Sequence, residues 1–169
     1  MFSTSDLKAL LSNKKYNEVT LWVNEDAIKF SEIIKLFLID DFRLNQACAH
    51  VILMCLSKKP DSLNPHIMLL LEYIDSPTAS THHKRNILRI MQEIDLPIIC
   101  HDLLAKLSFD LLQNRQESIA VKVFAMWLIY RLGTFYPDIL PELKFILTQE
   151  IHYQSAAYKN RAYKILKHI

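Results

Sequence analysis

The groups in this 169-residue chain able to carry chemistry are seven histidines, three cysteines and one lysine, Lys122, set inside an apolar run. Histidine, cysteine and carboxylate side chains hold metals when a fixed spacing turns them toward one point. The spacings here build no such point. His82 and His83 are adjacent, which on a helix sends them to different faces and keeps both from one ion. Cys100–His101 has no second pair, and neither HExxH nor the ExxH of di-iron bundles occurs. No metal is therefore expected. Cys48, Cys55 and Cys100 are odd in number, lie in apolar runs and form no CxxC, so they read as buried, reduced thiols.

Nucleophilic and acid–base chemistry is equally poorly provided for. No GxSxG occurs. Glu117 and Ser118 adjoin basic residues, but an acid in a helix's first turn is explained by the helix dipole. Lys122 reads as a lysine that runs its stem along apolar surface, not as a catalytic amine. Gly133 is the one glycine in the chain. Phosphate-cradling loops and β-bulges spend glycines on turns and close backbone approach; GxGxxG and Walker loops are absent, and nucleotide-binding α/β folds are poor candidates. No catalytic residue and no cofactor is predicted.

What must position these residues is helical. Apolar residues make up 51% of the chain, enough for a core, and recur at three and four. The run Ile119–Leu132 has 14 residues and contains Lys122. A membrane span needs about 20, so this run is predicted as a helix surrounded by other helices, and no membrane association is expected. The start, MFSTSDLKALLSNKK, lacks a charged segment followed by an apolar one, and a cytoplasmic location is expected.

Prolines at 60, 65, 77, 97, 137 and 141 punctuate the pattern near helix starts, and Gly133 reads as a helix C-cap. Helices are predicted near 4–12, 15–24, 26–40, 42–57, 64–75, 80–94, 97–113, 115–132, 138–150 and 154–168. After residue 25 they fall into pairs. The second helices begin near 42, 80, 115 and 154, at steps of 38, 35 and 39 residues. Their starts are loosely alike: RLNQACAHVILM, THHKRNILRIMQ, RQESIAVKVFAMW and SAAYKNRAYKIL. A constant step of this size signals a helical-hairpin repeat.

In step and pattern the chain resembles the HEAT/armadillo α-solenoids over about residues 26–169. The resemblance implies one all-α domain, a right-handed α-α superhelix of about four hairpins (26–59, 60–95, 96–132 and 133–169) capped by residues 1–25. The family's usual proline and Asp/Arg positions are only partly present, and a compact irregular bundle is the alternative.

Charge divides along the same lines. The second-helix regions (42–59, 80–95, 114–131, 154–169) hold 13 Lys/Arg against 3 Asp/Glu, a net of +10. The first-helix regions (25–41, 60–76, 96–113, 132–153) hold 4 against 13, a net of −9, in a chain whose total is +2. The resemblance implies that second helices line the concave side. Helical spacing then groups Arg43, Gln46 and His50; His82, Arg85, Asn86 and Arg89; Arg115, Ser118 and Lys122; and Arg161, Lys164 and His168. From these, Arg43, His50, His82, Arg85, Arg89, Arg115, Lys122, Arg161 and Lys164 are predicted to form a basic binding face. Such a face attracts phosphate or acidic partners, although solvation and helix-to-helix ion pairing would use the same charges. The aromatics Trp22, Trp127, Tyr130, Phe135, Tyr136, Tyr153, Tyr158 and Tyr163 are predicted to fill the core.

The expected function is a non-enzymatic scaffold that binds a macromolecular partner, most simply a protein, as a monomer or weak homo-oligomer. The alternative is nucleic-acid binding, in the manner of the HEAT-like DNA-alkylation-repair glycosylases that the chain also resembles. The acid and aromatic cage of that family are not identifiable here.

Overall fold

The computed structural model describes residues 2–24 and 26–169. Met1 and Glu25, which the expected cap of 1–25 includes, lie outside the described residues. Ten α-helices occur and no strand among the described residues. They are α1 Thr4–Ser12, α2 Tyr16–Val23, α3 Ala27–Phe37, α4 Phe42–Leu56, α5 Ile67–Ile74, α6 Thr81–Met91, α7 His101–Gln113, α8 Ile119–Leu132, α9 Leu140–Glu150 and α10 Ala156–Leu166. Every predicted helix is present, so the all-α, HEAT-like reading is the fold observed. The chain forms two compact units, Met1–Asp95 and Leu96–Ile169.

Local chemistry sets the helix starts. Ser3 and Asp6 form a reciprocal capping box at α1. Asp26 accepts from the amides of Ile28 and Lys29, and Asp41 from that of Leu44. Ser118 and Ser155 accept from Val121 and Tyr158. Each cap satisfies an amide that has no partner within its helix. Pro60 and Pro65 do more than start a helix. Residues Pro60–His66 wind as a 3₁₀ segment, and α5 begins only at Ile67.

In the first unit α4 is the central helix, packed by α1, α2, α3 and α6. Nine of its 15 residues are buried, among them Cys48, Val51, Ile52 and Leu56. In the second unit α8 has α7, α9 and α10 as neighbours. That explains why its 14 residues are apolar nearly all round: three helices cover it. No described helix is long and apolar enough to cross a membrane.

Gly133 is a C-cap, as expected, but not for the expected reason. Its φ is −60°, which any residue adopts. A Cβ there would collide with the Leu140 side chain, whose Cγ would lie 2.6 Å away. Close packing of the turn onto α9 requires the glycine, not a left-handed backbone.

Three further peptide groups are closed by long-range side chains. The last carbonyls of α3 have no partner within the helix. Asn45 Nδ2 donates to Phe37 O at 2.7 Å, the Tyr73 hydroxyl to Leu38 O at 3.2 Å, and His83 Nε2 meets Ile39 O at 3.3 Å. One helix end is thereby tied to α4, α5 and α6 at consecutive residues.

Candidate binding surface

In the first unit the surface grows from the start of α4. The Asp41 cap fixes where that helix begins, so Phe42 and Arg43 project from its first turn and both are exposed. Arg43 and Gln46, one turn apart, line a groove of about 760 Å³ together with Lys8 and Lys14. Among the described residues, Asp41 is the one acid lining it, against the three cations Lys8, Lys14 and Arg43. His50, the next residue on this strip, is exposed and rests on the ring of Tyr16, 4.7 Å between centroids. Lys14 has a φ of 59°, a left-handed conformation in which a side chain other than Gly or Asn is uncommon.

Helix α6 joins this surface through Phe42. The Arg85 guanidinium lies over the Phe42 ring at 5.9 Å, and His82 meets the same ring edge-on at 5.8 Å. Phe42 also lines the groove beside Arg43. One exposed aromatic ring thus connects the basic residues of α4 to those of α6. Arg89, a turn beyond Arg85, is exposed and borders a shallow depression with Ser57 and Glu93.

In the second unit the expected residues divide. Arg161 is half-buried, its guanidinium 4.8 Å from the Trp127 ring on α8. Trp127 pairs with Tyr130 at 5.2 Å, and Tyr130 faces His168 at 6.4 Å. Lys164 is exposed on α10. Arg115 is exposed too, but it lies in the turn before α8, because the Ser118 cap starts that helix at Ile119, four residues after the predicted start at Arg115. Lys122, predicted on the same exposed strip, is only 3% exposed and belongs to the interior. The helix that carries it, α8, packs against α7, α9 and α10.

The two units repeat one arrangement: an arginine of the later second helix lies on an aromatic ring of the earlier one, Arg85 on Phe42 and Arg161 on Trp127. Among the described residues, Arg43, Arg85, Arg89, Arg115, Arg161 and Lys164 take part in no ion pair. The ion pairs Lys15–Glu18, Lys29–Asp26 and Lys106–Asp110 are each local to one helix or its cap. The opposite charges of first and second helices are therefore not used up against one another at these residues.

Lys8, Lys14 and Phe42 were not among the predicted surface residues. Lys8 and Lys14 precede the repeat, and no helical period connects them to α4. Phe42 was legible only as an apolar residue at a helix start. The aromatics also depart from expectation. Tyr158 is fully buried, but Phe135, Tyr136, Tyr153 and Tyr163 are exposed, Tyr153 by 91%.

Cys48, Cys55 and Cys100 are free and buried, as expected. Burial pushes the Cys48 thiol up to about 12 and the Cys55 thiol to about 11. Such thiols are poor nucleophiles. Burial likewise raises the Tyr158 hydroxyl far above its ordinary range, aided by the nearby Glu150 carboxylate.

Compared with known proteins, the chain matches the family model of the HEAT repeat domain over residues 3–169. No curated protein and no solved structure matches it.

Proposed function

Since this chain belongs to the HEAT repeat family, whose repeats are typically protein-interaction scaffolds, we propose that it is a non-enzymatic binding module. It captures an acidic protein segment on the basic surface of α1, α4 and α6, and Arg161 and Lys164 supply a second basic surface on α10. The observation that carries this reading is the set of cations left without ion pairs around Phe42: Arg43 and Arg85, with Lys8 and Lys14 across the groove. Arginine and aromatic side chains are enriched among the residues that dominate protein interfaces, and the planar guanidinium pairs with carboxylates in two-pronged fashion.

The test compares wild type with Arg43→Glu/Arg85→Glu as immobilised baits in an extract of the source cells, with bound proteins identified by mass spectrometry. Arg43 is exposed and Arg85 partly so, and circular dichroism checks that helicity is kept. The expected result is an acidic partner retained by wild type and lost from the double variant. Identical retention by both baits overturns the proposal. A parallel titration with duplex DNA covers nucleic acid: binding whose logarithm falls linearly with the logarithm of salt concentration, about 0.9 per phosphate contacted, would replace the protein reading.

A further inference from the structure

The residues at the start of α6 converge on a second point, which shares only His82 with the proposed binding surface. Ser80, the N-cap, places its Oγ 2.7 Å from His83 Nδ1 and 3.0 Å from His82 Nδ1. The two imidazoles, although adjacent in sequence and different in burial, lie with centroids 4.4 Å apart and planes inclined by 34°. The expectation that they point away from each other is corrected: both rings fold back toward the N-cap. From the α3–α4 turn Asp40 brings Oδ1 to 3.5 Å from His82 Nε2. One ligand atom from each of Asp40, His82 and His83 lies within 4.8 Å of the other two.

Neutral imidazole nitrogen and carboxylate oxygen, without thiolate, are ligands that suit zinc and its neighbours in the first transition row. The arrangement also holds an outer contact of the kind metal-binding histidines use. His83 Nε2 faces Ile39 O at 3.3 Å. A proton on Nε2, donated to that carbonyl, makes Nδ1 an acceptor, which meets the Ser80 hydroxyl at 2.7 Å and would turn to a metal in its place. Fixing a tautomer through the far nitrogen is how a ligand histidine is oriented. The His83 ring is held further by edge contacts with Phe37 and Tyr73, at 6.4 and 5.1 Å. The buried ligand is thus rigid. Of the other two, His82 holds Nε2 3.5 Å from Oδ1 of the largely exposed Asp40, and Ser80 Oγ or water would complete the set.

We propose that Asp40, His82 and His83 form a binding site for a divalent transition-metal ion of the zinc class. The ion would join the α3–α4 turn to the first turn of α6, and so lock the first unit's hairpins together across more than 40 residues of chain, Asp40 to His82. None of Asp40, His82 and His83 lines the basic groove, although His82 touches Phe42 at its edge, and the site stands whether or not that groove binds protein.

Zinc titration into the whole chain by calorimetry tests it, with His82→Gln, Asp40→Asn and the double variant alongside. Other surface histidines give a background that all the variants share. Wild type is expected to bind one more equivalent than the double variant, with each single variant at least tenfold weaker at that site. Cobalt bound in place of zinc is expected to show the visible absorption of four-coordinate nitrogen–oxygen ligation, absent from the double variant. Asp40 is 72% exposed, so its substitution leaves folding intact even if a histidine variant proves unstable. Titration curves for Asp40→Asn and wild type that coincide, with no cobalt spectrum in wild type, overturn the proposal.

Discussion

Asn86 on α6 donates from Nδ2 to Oδ1 of Asn45 on α4 at 2.6 Å, and Asn45 in turn donates to the carbonyl of Phe37 at the end of α3. Both asparagines are buried. Three helices from two successive hairpins are therefore joined by one polar relay, which no apolar contact could register so narrowly. Removing one member leaves a buried polar atom without a partner, at about 1–3 kcal/mol. Asn86→Ala is expected to lower the stability of the first unit by that amount in urea unfolding. An Asn45→Ala/Asn86→Ala pair should cost less than the two single losses together. Strict additivity would mean that the relay does not couple the helices.

Gly133 gives the second prediction. Its missing Cβ makes room for Leu140. Gly133→Ala is expected to destabilise by about 1–3 kcal/mol, the usual cost of overpacking. Adding Leu140→Ala to that variant should relieve part of the loss relative to Leu140→Ala alone. Thermal unfolding of the four proteins checks both expectations, and an unaltered midpoint for Gly133→Ala would refute the close-packing account.

Lys122 invites a different substitution. It is a lysine almost fully covered by helices. Replacing a buried cation by an apolar side chain of similar shape is often neutral or stabilising. Lys122→Met is expected to fold with a denaturant midpoint equal to or above wild type. Lys122→Glu, by contrast, should destabilise by several kcal/mol, roughly 3–5 as for an unpaired buried charge. Loss of binding in that variant would report unfolding, so Lys122 has no place in a charge-reversal test of the surface.

His66 sets a pH dependence. Its ring borders a cavity of about 330 Å³, lies 5.8 Å from Phe30, and has Nε2 3.2 Å from the Ser31 hydroxyl. Lys58, Lys59 and Asp61 share that cavity. Burial holds the His66 imidazole below its ordinary value of 6.5. The unfolded chain therefore binds the proton more readily than the folded one. Stability from this group is fully present above about pH 6.5 and falls as pH drops below it, until the folded-state value is passed. Unfolding at pH 5 and pH 7.5 is expected to show wild type losing more stability than His66→Gln over that interval. Equal losses would assign the dependence elsewhere.

Arg161 over Trp127 has an optical signature. With Trp22→Phe as background, Arg161→Gln is expected to shift Trp127 emission and to cost about 0.5–1 kcal/mol, as for a partly exposed cation–π contact. Emission and stability both unchanged would show that the guanidinium does not rest on the ring in solution.

The sequence by itself determined the ten helices, their pairing and the concentration of cations on the second helices. Those features are local. A 3.6-residue period, a cap three residues from its amide and a proline at a first turn act within one or two turns of chain, so each can be read in place. Arg43, Arg85 and Lys164 are on the surface for the same reason: their strips of the helical period are polar. Tertiary structure alone decided which strips meet. It buried Lys122 under three helices, left Arg115 in a turn, set Phe42 between α4 and α6, and brought Asp40 to His82 and Asn45 to Asn86. Those contacts join residues about 40 positions apart. They depend on how far neighbouring helices slide and turn before their apolar faces fill, and a helix's own sequence does not specify its neighbours' positions.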